Sequence, residues 1–278
     1  MKHDEIDVRI FIHHQELSGD QMKIKDLFSL EGRTAIVTGG GRGLGEQMAS
    51  GLAEVGSNIV VCSRKLERCE EIAHRIKSLG VKTLALRCDL VREEDIDHVI
   101  EETIKEFGKI DILVNNAGRT WGDLVEEFNI EGWKKVIDLN VTGTFQMTQK
   151  AGREMIKKKS GKIINIASYA GLRGTDPDYL NAIAYNTSKG ALITFTKDLA
   201  VKWAKYGIHV NAIAPGWFTT EMTKWSMEHF KDKMLDRILL KRFGGEDDLK
   251  GAVVFLASKA SDYVTGHVLC VDGGEMAW

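Results

Sequence analysis

In the stretch IAYNTSKGAL (residues 183–192) a phenol, Tyr185, stands four positions before an ammonium, Lys189. On a helix that spacing is one turn, so the two side chains share a face. A free phenol ionises near pH 10, and bringing it towards 7 takes about 4 kcal/mol of differential stabilisation of the phenolate. An ammonium about 4 Å away supplies that order of energy at an effective dielectric near 20. The pair can therefore serve as a proton-transfer site at neutral pH. A surface helix with one aromatic and one lysine would show the same spacing, so the rest of the chain has to decide.

A second group of residues could hold an anion. TGGGRGLG (38–45) carries glycines at 39, 43 and 45, around Arg42 and Leu44. Gly39, Gly43 and Gly45 let a backbone turn tightly and approach a phosphate. A helix beginning there offers free N–H groups and the positive end of its dipole. A third group bears on which dinucleotide would bind. An acidic residue at the end of the second strand of such a fold holds the ribose hydroxyls of NAD. Here the stretch is VCSRK, with Ser63 and Arg64 and no carboxylate. Arg42 and Arg64 could clamp a 2′-phosphate with charge-assisted hydrogen bonds. NADP(H) is therefore expected in preference to NAD(H).

The elements that would position these groups alternate along the chain. Short apolar runs read as strands at 34–39, 58–63, 82–89, 110–116, 161–168, 208–215 and 267–274. Helical spacing separates them at 45–56, 66–79, 93–107, 131–158, 183–205 and 247–258. Strands buried on both faces between helices predict a single-domain α/β Rossmann fold. Its seven-stranded sheet would be doubly wound and mostly parallel, with helices on both faces. Residues 28–278 form that domain, and residues 1–27 stand outside the pattern as an N-terminal extension, where VRIFIHH reads as an arm or an added edge strand. The segment 217–240, carrying Trp217, Phe218, Met222, Trp225 and Met227, reads as a lid over a substrate, with core packing of the lid on itself as the other reading.

Composition excludes several classes. The 278 residues carry a net charge of −2, which offers no nucleic-acid or membrane surface. No run is apolar enough to cross a bilayer, and the N-terminus lacks a secretory core. The four cysteines (Cys62, Cys69, Cys88, Cys270) have no ligand spacing, and His13 and His14 have no further partners, so no metal site and a reduced cytoplasmic setting are expected.

Taken together, TGGGRGLG (38–45), CDL (88–90), NNAG (115–118), Asn140 in DLN, Ser168 in NIAS, YNTSK (185–189) and APGWFTTEM (214–222) resemble the short-chain dehydrogenase/reductase family over residues 28–278. FSLEGR, APGWFTTEMTK and FLASKASDYVTGHVLCVDGG look most like the gluconate 5-dehydrogenases, with bacterial 3-oxoacyl-carrier-protein reductases second. The resemblance implies that Tyr185 exchanges a proton with the substrate oxygen and Ser168 holds that oxygen. It implies that Lys189 lowers the phenol's pKa and binds the nicotinamide ribose, and that Asn140 anchors a water between Lys189 and solvent. It places Asp89 and Leu90 at the adenine, and Asn116, Ala117 and Gly118 under the adenosine ribose. Pro215, Gly216 and the backbone of Phe218 would face the nicotinamide amide, and Thr220 the pyrophosphate. Asn115 reads as a structural hydrogen-bonder between strands.

The implied reaction interconverts a secondary alcohol and a ketone, with D-gluconate and 5-keto-D-gluconate as the leading pair. Reduction of a 3-oxoacyl carrier or another carbonyl is the alternative, and a non-catalytic nucleotide sensor is the alternative of another class. Arg119, Arg173 and Lys224 are candidates for a sugar acid's carboxylate, and Trp121 and Tyr179 for the cleft wall. KKKSGK (157–162) could suit an acyl carrier, but Val201 stands where a basic residue would be expected in such reductases. YAGLRGTDPDYLNAI, between Ser168 and Tyr185, is longer than is usual in the family. The resemblance also implies a homotetramer paired through the helices at 131–158 and 183–205.

Overall fold

Residues Thr34–Thr38 are buried at every position and form a strand, β1, with no solvent-facing side. That pattern requires cover on both faces of the sheet. The computed structural model describes residues 22–278. A short helix, α1 (Ile24–Phe28), precedes β1. The arm-or-strand reading of VRIFIHH lies outside the described residues.

From β1 the chain alternates: α2 (Gly43–Glu54), β2 (Asn58–Ser63), α3 (Leu66–Lys77), β3 (Thr83–Arg87), α4 (Glu93–Phe107) and β4 (Ile112–Asn115). It continues through α5 (Ile130–Ile137), α6 (Thr144–Lys158), β5 (Gly161–Ile166), α7 (Ile183–Trp203) and β6 (Ile208–Pro215). The last elements are α8 (Lys224–Arg237), α9 (Lys250–Ala257) and β7 (Val268–Val271). The seven strands lie in one sheet, in the order β3-β2-β1-β4-β5-β6-β7. Each neighbouring pair is parallel. The sheet is thus wholly parallel.

Two apolar layers cover it. Met48 and Leu52 of α2 pack with Val253 and Leu256 of α9 on one face. Ile96 and Val99 of α4 pack with Met147 and Met155 of α6 and Leu199 of α7 on the other. The strand order reverses between β1 and β4, which opens a crevice at their carboxyl ends, where ligands bind in such sheets.

The long helical stretch near 131–158 is helical throughout but not uniform. A π turn at Asp138–Gly143 joins α5 to α6. Such turns displace one residue from the regular ladder and are enriched at functional positions. Asn140 sits in it and is fully buried. The polar segment after β6 contains α8, preceded by a strap at 216–223 that reaches back over the β1 end of the sheet.

Candidate active site and dinucleotide crevice

The glycine loop is built for a close approach. Gly39 and Gly43 have φ of +64° and +55°, a region that side-chain-bearing residues rarely adopt. A Cβ on Gly39 would stand 3.0 Å from the Ala117 Cα, and one on Gly45 would run into the Gly39 carbonyl and the Asn116 amide. The loop is also tied to the end of β4. Asn116 and Ala117 each donate a backbone N–H to Thr38 Oγ1 at 3.0 Å, and Asn116 Nδ2 donates to the Thr38 carbonyl at 2.9 Å. The helix α2 starts at Gly43 with no side chain capping it, so its first N–H groups are free for an anion. Leu44 points into the layer formed by α2 and α9. The loop, the bare helix start and the neighbouring arginines fit a dinucleotide.

At the end of β2 the Ser63 hydroxyl closes the turn into α3, donating to the Lys65 carbonyl at 3.1 Å. Arg42, Arg64 and Arg68 converge there. Burial, then the charges of Arg68 and Arg64, depress the proton affinity of Arg42. Arg42 and Arg68 both form ion pairs with Glu221 of the strap. Asp89 receives its place from Asp95, whose carboxylate accepts the Asp89 N–H at 2.9 Å. Leu90 is buried against Gly143 of the π turn, where a Cβ would stand 2.7 Å from the Leu90 carbonyl. Pro215 pairs with Val271, and the Gly216 N–H donates to the Val271 carbonyl at 3.0 Å. The Phe218 side chain is buried against Gly244, and its carbonyl accepts from Thr223 Oγ1 at 2.6 Å. Thr220 lies over Gly43, its Cγ2 3.6 Å from where a Cβ on that glycine would be.

The four candidate catalytic residues come from three places in the fold, the π turn, the end of β5 and α7, and meet. Ser168 follows β5, and its Oγ accepts the Ala170 N–H at 3.2 Å. Tyr185 lies in the first turn of α7, and Lys189 one turn later. Burial raises the Tyr185 phenol, while its hydrogen bond with Ser168 pulls the other way. Lys189 Nζ donates to the Ile166 carbonyl at 2.6 Å and lies 5.5 Å from the centre of the Tyr185 ring. Burial pushes its pKa down to about 8. Within the protein alone the phenol is therefore raised, not lowered as its spacing from Lys189 implied, because desolvation outweighs the pull of the Ser168 hydroxyl. Asn140 Nδ2 donates to the Arg119 carbonyl at 3.0 Å and to Ser188 Oγ at 2.9 Å, and Oδ1 accepts the Arg119 N–H at 2.9 Å. Both side-chain donors are thus engaged by protein. Gly118 lies over this meeting point: a Cβ there would be 3.4 Å from Asn140 Oδ1 and 3.7 Å from Lys189 Nζ.

Asn115 bonds Thr148 and Asn165 at 2.8 and 2.9 Å, across two strands and a helix, as a structural role requires. Of the lid residues, Trp217 and Met227 are buried in a cluster with Tyr169, Tyr179 and Met234, and Tyr185 packs against it. Trp225 and Met222 are exposed. Trp121 packs on Gly132 instead, with Lys135 over its ring. Arg173 is held 2.5 Å from Glu275, a buried carboxylate that follows β7, and lies over the Tyr169 ring. Lys224 faces Glu228 at 3.8 Å, on the surface of α8. The lysines of KKKSGK serve the far end of the sheet, where Lys158 pairs with Asp111 and Lys162 with Asp262. Arg68, Tyr169 and Glu275 belong to no motif that would single them out, and Thr38 and Glu221 stand inside motifs that give them no role; each takes its importance from a contact distant in sequence. No cluster of metal-binding side chains occurs among the described residues.

The family model for short chain dehydrogenases matches residues 33–230. The chain is 39% identical to the 5-keto-D-gluconate 5-reductase of Escherichia coli (strain K12) over 255 residues, covering 91% of this chain and 99% of that protein. It is likewise 39% identical to the 3-oxoacyl-[acyl-carrier-protein] reductase of Aquifex aeolicus over 246 residues, covering 88% and 98%. The crystal structure of a gluconate 5-dehydrogenase from Burkholderia cenocepacia, in complex with NADP and tartrate, superposes with a TM-score of 0.87 at 37% identity, covering 91% of this chain and 99% of that one.

Proposed function

The chain belongs to the short-chain dehydrogenase/reductase family and is an oxidoreductase acting on CH–OH groups, and we propose that it uses NADP(H) to interconvert a polyhydroxylated acid and its ketone, D-gluconate and 5-keto-D-gluconate being the leading pair. The observation that carries the catalytic part is the meeting of Ser168, Tyr185 and Lys189 at the carboxyl end of β5, with Tyr185 and Lys189 on one face of α7.

A bound nicotinamide cofactor would supply or accept the hydride. The chain's own residues handle the proton. Ser168, fixed by the Ala170 N–H, holds the substrate oxygen beside Tyr185. In reduction the Tyr185 phenol gives its proton to the oxygen as negative charge builds there, and in oxidation it takes one back. Lys189 uses one of its three donors on the Ile166 carbonyl. The others remain to bind the ribose and to steady the phenolate. Because the Asn140 amide is engaged by Arg119 and Ser188, its main-chain carbonyl is what it offers a water. A π turn leaves such a carbonyl outside the regular i,i+4 ladder. Arg42, Arg64 and Arg68 would hold the 2′-phosphate, with Ser63 shaping the turn beneath it. Gly39, Gly43 and Gly45 would admit the pyrophosphate, and Thr220 would cover it. Asp89 and Leu90 remain assigned to the adenine, Asn116, Ala117 and Gly118 to the adenosine ribose, and Pro215, Gly216 and Phe218 to the nicotinamide.

The substrate assignment draws on the sugar-acid enzymes among the relatives. Three of the four lysines of residues 157–162 make ion pairs within the chain, which weakens the case for an acyl carrier. The exposed Phe145 of α6 and Val201 of α7 support pairing of these helices in a homotetramer. The test is a screen following NADPH absorbance in both directions with sugar acids, polyols and 3-oxoacyl thioesters. Sugar acids should give the highest kcat/KM, and Tyr185→Phe should lower kcat by about 10³-fold while leaving NADPH binding, read by fluorescence, within twofold. Highest turnover with a thioester overturns the substrate, and cofactor binding without turnover of any ketone favours a sensor.

A further inference from the structure

The arginines at the end of β2 already have an anionic partner, and it comes from the other side of the crevice. A cavity of about 480 Å³ opens beside the glycine loop, lined among others by Gly41, Arg42, Arg68, Ile72 and Arg75. Gly41 lets its walls close up: a Cβ there would be 3.2 Å from the Arg68 Cβ and 3.3 Å from Ser63 Oγ. Arg75 is neutralised locally by Glu46. Arg42 and Arg68 share the single negative charge of Glu221, which pairs with both guanidiniums, with Arg68 Nη1 3.3 Å from Oε1. Glu221 follows Thr220, the residue over Gly43. The Thr220 N–H donates to Thr223 Oγ1 at 3.0 Å and the Lys224 N–H to the Thr220 carbonyl at 3.0 Å, so a folded turn presents the carboxylate.

A carboxylate bridging two guanidiniums makes the same kind of contact as a phosphate ester there, with less charge and fewer acceptor oxygens. The two anions cannot share the pair without close like-charge repulsion. We propose that Glu221 is an intramolecular competitor of the cofactor's 2′-phosphate, and so a residue that sets how far the chain prefers NADP(H) to NAD(H). The proposal rests on the reading that these arginines hold a 2′-phosphate. A nucleotide without that phosphate leaves the Glu221 pairs intact. One that carries it must displace Glu221, and its apparent affinity is reduced by the fraction of time the pairs are closed. Displacement also unfastens the strap from the glycine loop, so the phosphate is sensed by the segment that leads into α8.

The experiment is calorimetric titration of the full chain with adenosine 2′,5′-bisphosphate and, separately, 5′-AMP, for the unaltered protein, Glu221→Gln and Arg68→Gln. Neither ligand carries a nicotinamide, so the readout is binding and not turnover. Glu221→Gln should bind the bisphosphate about 10-fold more tightly, equivalent to about 1.4 kcal/mol, with 5′-AMP unchanged within twofold. Arg68→Gln should weaken the bisphosphate alone. Glu221 is 63% exposed, and matching circular dichroism spectra will establish that its variant folds. If the unaltered protein prefers the bisphosphate but Glu221→Gln leaves that preference unchanged or reduces it, the competitor is overturned and the NADP(H) reading stands. If the unaltered protein binds both ligands equally and Arg68→Gln changes neither, the NADP(H) reading fails and takes the competitor with it.

Discussion

A buried glutamate beside two tyrosines, Tyr169 and Tyr179, calls for a reason, and Glu275 is 1% exposed. Arg173 satisfies one oxygen at 2.5 Å. Glu275 Oε2, Arg173 Nε, the Tyr169 hydroxyl and Trp217 Nε1 have no hydrogen-bonding partner within the protein. The Arg173–Glu275 pair ties the loop after β5 to the segment after β7. It also answers one expectation from the sequence: Arg173 is not a free cation awaiting a sugar acid's carboxylate, because Glu275 already holds it. Burial raises the Glu275 carboxyl above its ordinary value, and Arg173 offsets only part of that. The folded chain therefore keeps this proton where the unfolded chain has lost it. Stability from this group is greatest below the unfolded pKa, near about 4.3, and falls as pH rises through the folded value. Glu275→Gln should remove that fall. Thermal midpoints of the two proteins should diverge steadily as pH rises from about 4, the glutamine variant ending higher. A constant offset across the range would mean that the carboxyl ionises normally in the fold.

At the level of elements, the strands were legible because each is short and apolar and the inner five are buried on both faces, and Asn58–Ser63 and Ile208–Pro215 match their sequence boundaries. The glycine loop was legible because positive φ and close approach leave glycine as the suitable residue at Gly39 and Gly43. The π turn at Asp138–Gly143 was not, since it keeps helical periodicity and differs from an α-helix only in which carbonyl each N–H reaches. The arginine fork was half legible: Arg42 and Arg64 flank recognisable motifs, whereas Arg68 and Glu221 meet only when the strap folds back. Lys189 was read correctly as a neighbour of Tyr185, but spacing alone could not report how strongly burial would act on both. Gly45 tests whether the loop works through space or through flexibility. Its φ lies outside the strained region, so Gly45→Ala strains no backbone, and alanine is the better helix former. The added methyl nevertheless meets the Gly39 carbonyl and the Asn116 amide. Adenosine 2′,5′-bisphosphate affinity should fall at least 10-fold while the urea midpoint changes modestly. Equal loss of stability and binding would show instead that the loop is part of the folding core.

Across the whole molecule the two ends of the sheet divide the work. The groups proposed to bind nucleotide and to handle the proton gather at the carboxyl ends of the strands, while the amino ends carry an ion-pair network centred on Asp111. Asp111 is 4% exposed, accepts the Thr34 N–H at 2.9 Å and pairs with Lys158, Arg33 and Lys109. It thereby fastens β4 to β1 and to the end of α6. Burial would raise its carboxyl, but Lys158, the Thr34 N–H and Lys109 together hold it below the ordinary value. With the folded pKa depressed, the stabilisation is present above the unfolded value, near about 3.9, and is lost as pH falls through the folded one. Its sign is opposite to that of Glu275, so the two groups together favour an intermediate pH. Asp111→Asn leaves Lys158 and its neighbours short of a counter-charge at a buried site, which should lower unfolding free energy by about 2 kcal/mol. The site lies at the opposite end of the strands from Tyr185, so kcat measured well below the unfolding transition should stay within twofold. Urea unfolding at pH 7 and pH 4, with turnover measured in parallel, checks both halves. A variant that keeps its stability but loses turnover would mean that the two ends of the sheet are coupled.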